Sequence, residues 1–89
     1  MKNVCLVCGY CGLSEAPYDN LGNGTYVICD CCGFEYGLDD YPDKKSGILS
    51  WRKNWIATGY QWFSSATSPP RNWDGFNQLN NYLNIKKAE

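Results

Sequence analysis

The chain has 89 residues and not one histidine. That absence removes Ser-His-Asp and Cys-His nucleophilic sets, imidazole acid–base chemistry, and every metal site that requires a histidine ligand. Long apolar runs are missing as well, so the sequence offers no membrane span and no signal-peptide core, and a cytoplasmic protein is expected. No Gly-rich phosphate loop occurs, and no pair of carboxylates sits in a cleft-like context. Lys and Arg together number only 8 and are spread thinly, which counts against nucleic acid as a partner. What remains is sulfur and rings: six Cys, four Trp, seven Tyr and three Phe. A single domain of this size has a marginal apolar core, and a bound metal is a known remedy. In a reducing compartment six cysteines argue for metal rather than for three disulfides.

Four of those cysteines fall into a repeat. Cys5-Leu6-Val7-Cys8-Gly9-Tyr10 and Cys29-Asp30-Cys31-Cys32-Gly33-Phe34 both read Cys-x-x-Cys-Gly-aromatic, with twenty residues between Cys8 and Cys29. Such spacing lets one tetrahedral ion collect four thiolates from two tight turns. The expected ligands are therefore Cys5, Cys8, Cys29 and Cys32. Gly9 and Gly33 stand where the chain must turn left-handed, and Tyr10 and Phe34 follow as aromatic plugs. A competing register exists, because Cys8-Gly9-Tyr10-Cys11-Gly12 is also a Cys-x-x-Cys-Gly string. Only the Cys5 and Cys8 choice reproduces the aromatic after the glycine. Cys11 and Cys31 read as small, partly buried apolar residues, the alternative being a redox pair. Four thiolates leave no open coordination position, which describes a structural zinc site. Iron is the competing ion: these turns also resemble those of rubredoxins, and thiolate geometry does not separate the two metals.

Around the turns, Asn3–Val7, Thr25–Ile28 and Phe34–Tyr36 read as three short antiparallel strands, with Asn23-Gly24 as a hairpin signal. After a linker at 37–43, Ser46 can cap a helix from about Gly47 to Thr58, with Ile48, Trp51, Trp55 and Ile56 at helical spacing and Gly59 as terminator. A second helix is expected from about Asp74 to Leu83, with Phe76, Leu79, Tyr82 and Leu83 on its apolar side and a frayed tail over 86–89. The fold class is thus a small α+β metal-bound domain. A zinc ribbon over residues 1–43 is followed by a helical, Trp-rich part over 44–89 packed on it, all one domain.

These residues resemble the bacterial cysteine-rich CPCC proteins, small and zinc-ribbon-like, with no established function. Their first turn reads Cys-Pro-Cys-Cys-Gly-Tyr, matched by Cys5–Tyr10. Their second is approached by Gly-Ser-Tyr-x-Ile-Cys, matched by Gly24-Thr25-Tyr26-Val27-Ile28-Cys29, and continues as Asp30–Glu35 does here. The likeness covers roughly the first forty residues, and both turns here lack the family proline. It implies Cys5 and Cys8 as ligands and one structural zinc.

The formal net charge of −1 conceals two unlike halves. Residues 1–43 carry seven acidic side chains against Lys2, a net of −6, while residues 44–89 carry seven basic against two acidic, a net of +5. The expected role is a non-enzymatic protein-interaction module of a bacterium or its phage, such as an inhibitor or immunity protein that covers a toxin or enzyme. Glu35, Asp39, Asp40 and Asp43 are the expected docking face, with exposed Trp as anchors. The alternatives are a rubredoxin-like iron electron carrier and a nucleic-acid-binding zinc ribbon.

Overall fold

The computed structural model describes residues 3–88. Its first half is held by turns rather than strands. Three isolated antiparallel bridges, Asn3–Leu13, Tyr18–Gly24 and Ile28–Glu35, stand in place of the three expected strands, and no longer strand occurs among the described residues. The cause is visible beside the second cysteine turn. Tyr26 N–H donates to the Tyr36 carbonyl at 2.8 Å, and Tyr36 N–H donates back to Val27 at 3.1 Å. Two residues thus oppose one, and Tyr26 takes the left-handed φ of 64° typical of the first position in a G1-type bulge. That bulge interrupts Thr25–Ile28. The preceding turn also sits earlier than Asn23-Gly24: Gly22 has the positive φ (83°), and the Asp19 carboxylate accepts from Leu21 and Asn23 N–H groups at 2.9 Å each.

Two helices follow, α1 (Lys44–Ala57) and α2 (Gly75–Ala88). Helix α1 starts three residues before the expected Gly47, because Asp43 and not Ser46 is its N-cap. The Asp43 carboxylate accepts the Ser46 backbone N–H at 3.1 Å, and contact with Ser46 holds its carboxyl below the ordinary value. Two reciprocal bonds close the far end, Gly59 N–H to Ile56 O and Tyr60 N–H to Trp55 O, both 3.0 Å, with Gly59 at φ 91°. That is a Schellman ending, with the glycine where the sequence placed the terminator. Helix α2 begins after Asp74, whose carboxylate accepts from Asn77 N–H at 3.2 Å, and it continues through the tail expected to fray. Glu89 lies outside the described residues.

One core joins the halves. Trp55 of α1 and Leu79 of α2 are buried with Cys5, Cys8, Cys29, Cys31, Cys32, Phe34 and Tyr36. The other three tryptophans are half-buried along the seam between helices and turns. Edge-on ring contacts run Tyr18–Tyr36–Phe34–Trp51 at centroid separations of 5.4, 4.7 and 5.6 Å, each worth about 0.5–1.5 kcal/mol. Ile56 and Phe76, expected to face inward, are 39% and 55% exposed. Arg52 and Gln78 turn inward instead, bonding to carbonyls of the first cysteine turn. The acidic residues expected to form a docking face are partly engaged within the fold. Asp40 is buried, accepting from the Tyr18 hydroxyl and from Gly37 N–H at 3.0 Å, while Asp39 accepts from Glu35 N–H at 2.8 Å.

Gly9 and Gly33 have φ of 85° and 82°, and each also lies under the helical half. A Cβ on Gly9 would stand 2.5 Å from the Tyr82 Cβ, whereas one on Gly33 would meet the Phe63 ring at 2.6 Å. The Tyr82 Cβ is fixed to the α2 backbone, but the exposed Phe63 ring can swing aside. Gly9→Ala is therefore expected to cost about 3 kcal/mol, from a left-handed alanine plus overpacking. Thermal unfolding of the metal-loaded variant should show a midpoint lower by roughly 10–20 °C, with a smaller drop for Gly33→Ala.

Candidate metal centre

The sulfurs of Cys5, Cys8, Cys29 and Cys32 all lie within 4.8 Å of one another. Cys5 and Cys32 are 3.8 Å apart, Cys8 and Cys29 3.7 Å. A tetrahedral ion with metal–sulfur bonds near 2.3 Å requires sulfur–sulfur edges of about 3.8 Å. A disulfide requires about 2.05 Å, and all six cysteines are free. The quartet therefore fits one metal ion and not two bridges. These are the four cysteines that the repeat brings forward, whereas Cys11 of the competing Cys8–Cys11 register is exposed and outside the group. Cys31 is buried beside the cage without joining it, its sulfur accepting from Gln78 Nε2 at 3.4 Å.

The two turns are copies of one another in their backbone bonding. Cys5 N–H donates to Tyr10 O at 2.7 Å, and Gly9 N–H donates to Cys5 O at 2.9 Å. In the second turn Cys29 N–H donates to Phe34 O at 3.0 Å, and Gly33 N–H to Cys29 O at 2.9 Å. Each turn is closed before anything else touches it. That closure leaves three further carbonyls in each turn without a partner inside it.

All six are met from the helical half. Arg52 of α1 donates from Nη2 to Leu6 O at 2.7 Å and from Nε to Val7 O at 2.8 Å, and Gln78 of α2 donates to Cys8 O at 3.1 Å. On the other turn Ser64 and Phe63 N–H groups donate to Asp30 O and Cys31 O at 2.9 Å each, and the Trp51 indole N–H donates to Cys32 O at 2.8 Å. No buried side-chain nitrogen or oxygen among the described residues is left without a partner. Arg52 lies part-buried on α1 with its guanidinium turned to the first turn. It is a two-pronged clamp on that turn.

Tyr36 completes the surroundings of the sulfurs. Its fully buried hydroxyl accepts from Leu6 N–H at 2.9 Å and stands 3.0 Å from the Cys5 sulfur, to which it donates when that sulfur is a thiolate. Burial pushes its phenol far above the ordinary range, so the proton stays on oxygen. Four sulfurs this close cannot all ionise without a cation. Contact with Cys29 leads in pushing the Cys8 and Cys32 thiols upward, and burial adds to it. A divalent ion removes that repulsion, so metal binding releases protons and weakens as pH falls.

Sequence reasoning missed Tyr36, Arg52 and Gln78. The available signal was indirect: Arg52 follows Trp51, and Gln78 precedes Leu79, each a polar residue bordering an inward-facing apolar one.

With this geometry in hand, likeness to known proteins is limited. The chain is 38% identical to the uncharacterized protein YozI of Bacillus subtilis (strain 168), over 63% of this chain and 58% of that protein. It is 35% identical to the uncharacterized protein YoaQ of the same strain, over 62% of this chain and 58% of that protein. The chain thus spans less than two thirds of the length of either relative. No family model matches it, and no solved structure matches it.

Two substitutions probe the surroundings of the cage. Tyr36→Phe removes the donor to Cys5 and should weaken metal binding by about tenfold in competition with a chromophoric chelator. Arg52→Met strips both of its carbonyls of their partner and should cost about 2 kcal/mol. The exposed neighbour change Lys53→Met should stay within about 0.5 kcal/mol in the same denaturation series.

Proposed function

We propose that this chain is a zinc ribbon with one structural Zn2+ on Cys5, Cys8, Cys29 and Cys32, acting in the bacterial cytoplasm as a non-enzymatic protein-interaction module. Kinship with the CPCC proteins belongs to the same proposal and rests on the two turns and on Gly24–Cys29. An inhibitor or immunity protein is the concrete form of the module. The observation that carries the reading is the closure of the cage. Cys5, Cys8 and Cys29 have no exposed surface, Cys32 only 6%, and the carbonyls behind them are locked to the helices. A catalytic zinc keeps an open position for water. An ion held by four buried sulfurs contributes folding energy instead, and leaves the outer surface as the working part of the molecule.

The geometry favours one competitor, since paired Cys-x-x-Cys-Gly turns cage iron equally well and would then serve electron transfer. Elemental analysis with an absorption spectrum separates the two. A colourless protein with one zinc per chain is expected; a coloured protein carrying iron would replace the zinc reading by the electron-carrier one. Chelation of the zinc should unfold the amino-terminal half and depress the melting temperature. The interaction role is checked by retention at low ionic strength, where a discrete protein should bind the zinc-loaded chain and be released when the metal is chelated. Failure to retain any protein would contradict that role.

A further inference from the structure

Between α1 and α2, on the flank of the first cysteine turn, the surface sinks into a groove of about 550 Å3. Its apolar floor and wall are Leu6, Ile48 and Leu49, the last 48% exposed. Its other contributors are Tyr18 and four cations: Lys44, Lys45 and Arg52 from α1, and Lys86 from α2. Among the described residues no carboxylate lines it. A smaller hollow of about 230 Å3 shares Leu6 and Lys86 and carries the depression on past Tyr82 and Ile85. Ile85 is 65% exposed, so the apolar strip continues along α2.

Several of these cations are held in place by the fold. Lys44 reaches the Gly22 carbonyl and lies 4.2 Å from the Tyr18 ring centroid, and Lys86 lies 5.9 Å from the centroid of Tyr82. Arg52 is fixed by its two bonds to the first turn. Asp43 feels the charge of Lys45, but its carboxylate is already engaged in capping α1. The groove therefore presents greasy side chains between positive charges, several of them held in place, that no described residue of its lining neutralises. On a protein of net charge −1 this concentration of one sign is local and directional.

We propose that this groove binds an acidic amphipathic segment of a partner protein, with apolar side chains entering between α1 and α2 and carboxylates meeting the four cations. Charge complementarity is the ground for choosing this occupant. The alignment of Lys44, Lys45, Ile48, Leu49 and Arg52 on one face of α1, opposite Tyr82, Ile85 and Lys86 on α2, matches helix-in-groove recognition. A nucleic acid would use the same cations, but the floor is aliphatic, and Lys44 and Lys86 stand over the Tyr18 and Tyr82 rings on which bases would have to stack. The proposal rests on the interaction-module reading and specifies its surface. It moves the docking site from the acidic stretch 35–43, part of which is buried, to the opposite charge.

The test uses the full zinc-loaded chain and a fluorescein-labelled helical peptide of leucine and glutamate, with a glutamine-for-glutamate version as control. Saturable binding of the glutamate peptide is expected, weakening as salt rises. The glutamine control, the charge-reversed pair Lys45→Glu with Lys86→Glu, and Leu49→Glu should each bind at least about tenfold more weakly. Unchanged zinc content and circular dichroism in these exposed-site variants would tie the loss to the groove. Absence of saturable binding, equal binding by the variants, self-association through these residues, or tighter binding of single-stranded RNA or phosphatidylglycerol vesicles would each overturn the proposal. Retention of a protein partner by the variants as firmly as by the native chain would overturn the groove yet leave the interaction-module reading standing.

Discussion

A Cys-x-x-Cys turn that folds back on a metal exposes a crowd of peptide carbonyls on its outer side, and buried carbonyls must be matched by donors. In this protein that requirement organises the fold. Cys5 O and Cys29 O are answered within their own turns, and the other six acceptors reach across to α1, α2 and the segment between them. The helical half is therefore more than a lid of apolar side chains. Its Arg52, Trp51 and Gln78 are specific answers to the shape that the cysteine turns impose. Each such bond is worth only about 1 kcal/mol net, but leaving its acceptor buried and unmatched would cost more.

The same arrangement explains how so little regular structure suffices. Three isolated bridges cannot stabilise a β-sheet, and hairpins this short are marginal in water. The sulfur quartet brings residues 5 and 8 against 29 and 32, where one metal ion could tie them, and the ring contacts from Tyr18 through Trp51 extend that cluster to α1. The cage faces inward, with Cys5, Cys8 and Cys29 fully buried, and the groove between the helices lies on the outside.

The cluster of Cys5, Cys8, Cys29 and Cys32 was legible in the sequence because the chemistry lies in the residue type itself: cysteine at that spacing has few other uses. The left-handed glycines were legible for the same reason, as was Gly59 at the end of α1. The start of α1 was read too late because Asp43 and Ser46 have equal capping chemistry, and only the chain's approach chooses between them. The strands were overestimated because Thr25–Ile28 has strand propensity, while the bulge at Tyr26 is imposed by pairing with Tyr36. Arg52, Gln78 and Asp40 carry labels of solubility that tertiary contacts override. No local pattern announces that a guanidinium will be needed by two carbonyls some 45 residues away.

The central claim is that cage and helical half form one cooperative unit. Amide hydrogen exchange at Phe63 and Ser64 tests it most directly, since these N–H groups bond to the second cysteine turn from the far half of the chain. With metal bound, both should be protected to the same degree as Gly9 and Gly33, and on chelation all four should lose protection together. If Phe63 and Ser64 kept their protection after the metal was withdrawn, the helical half would stand on its own and the claim would be wrong.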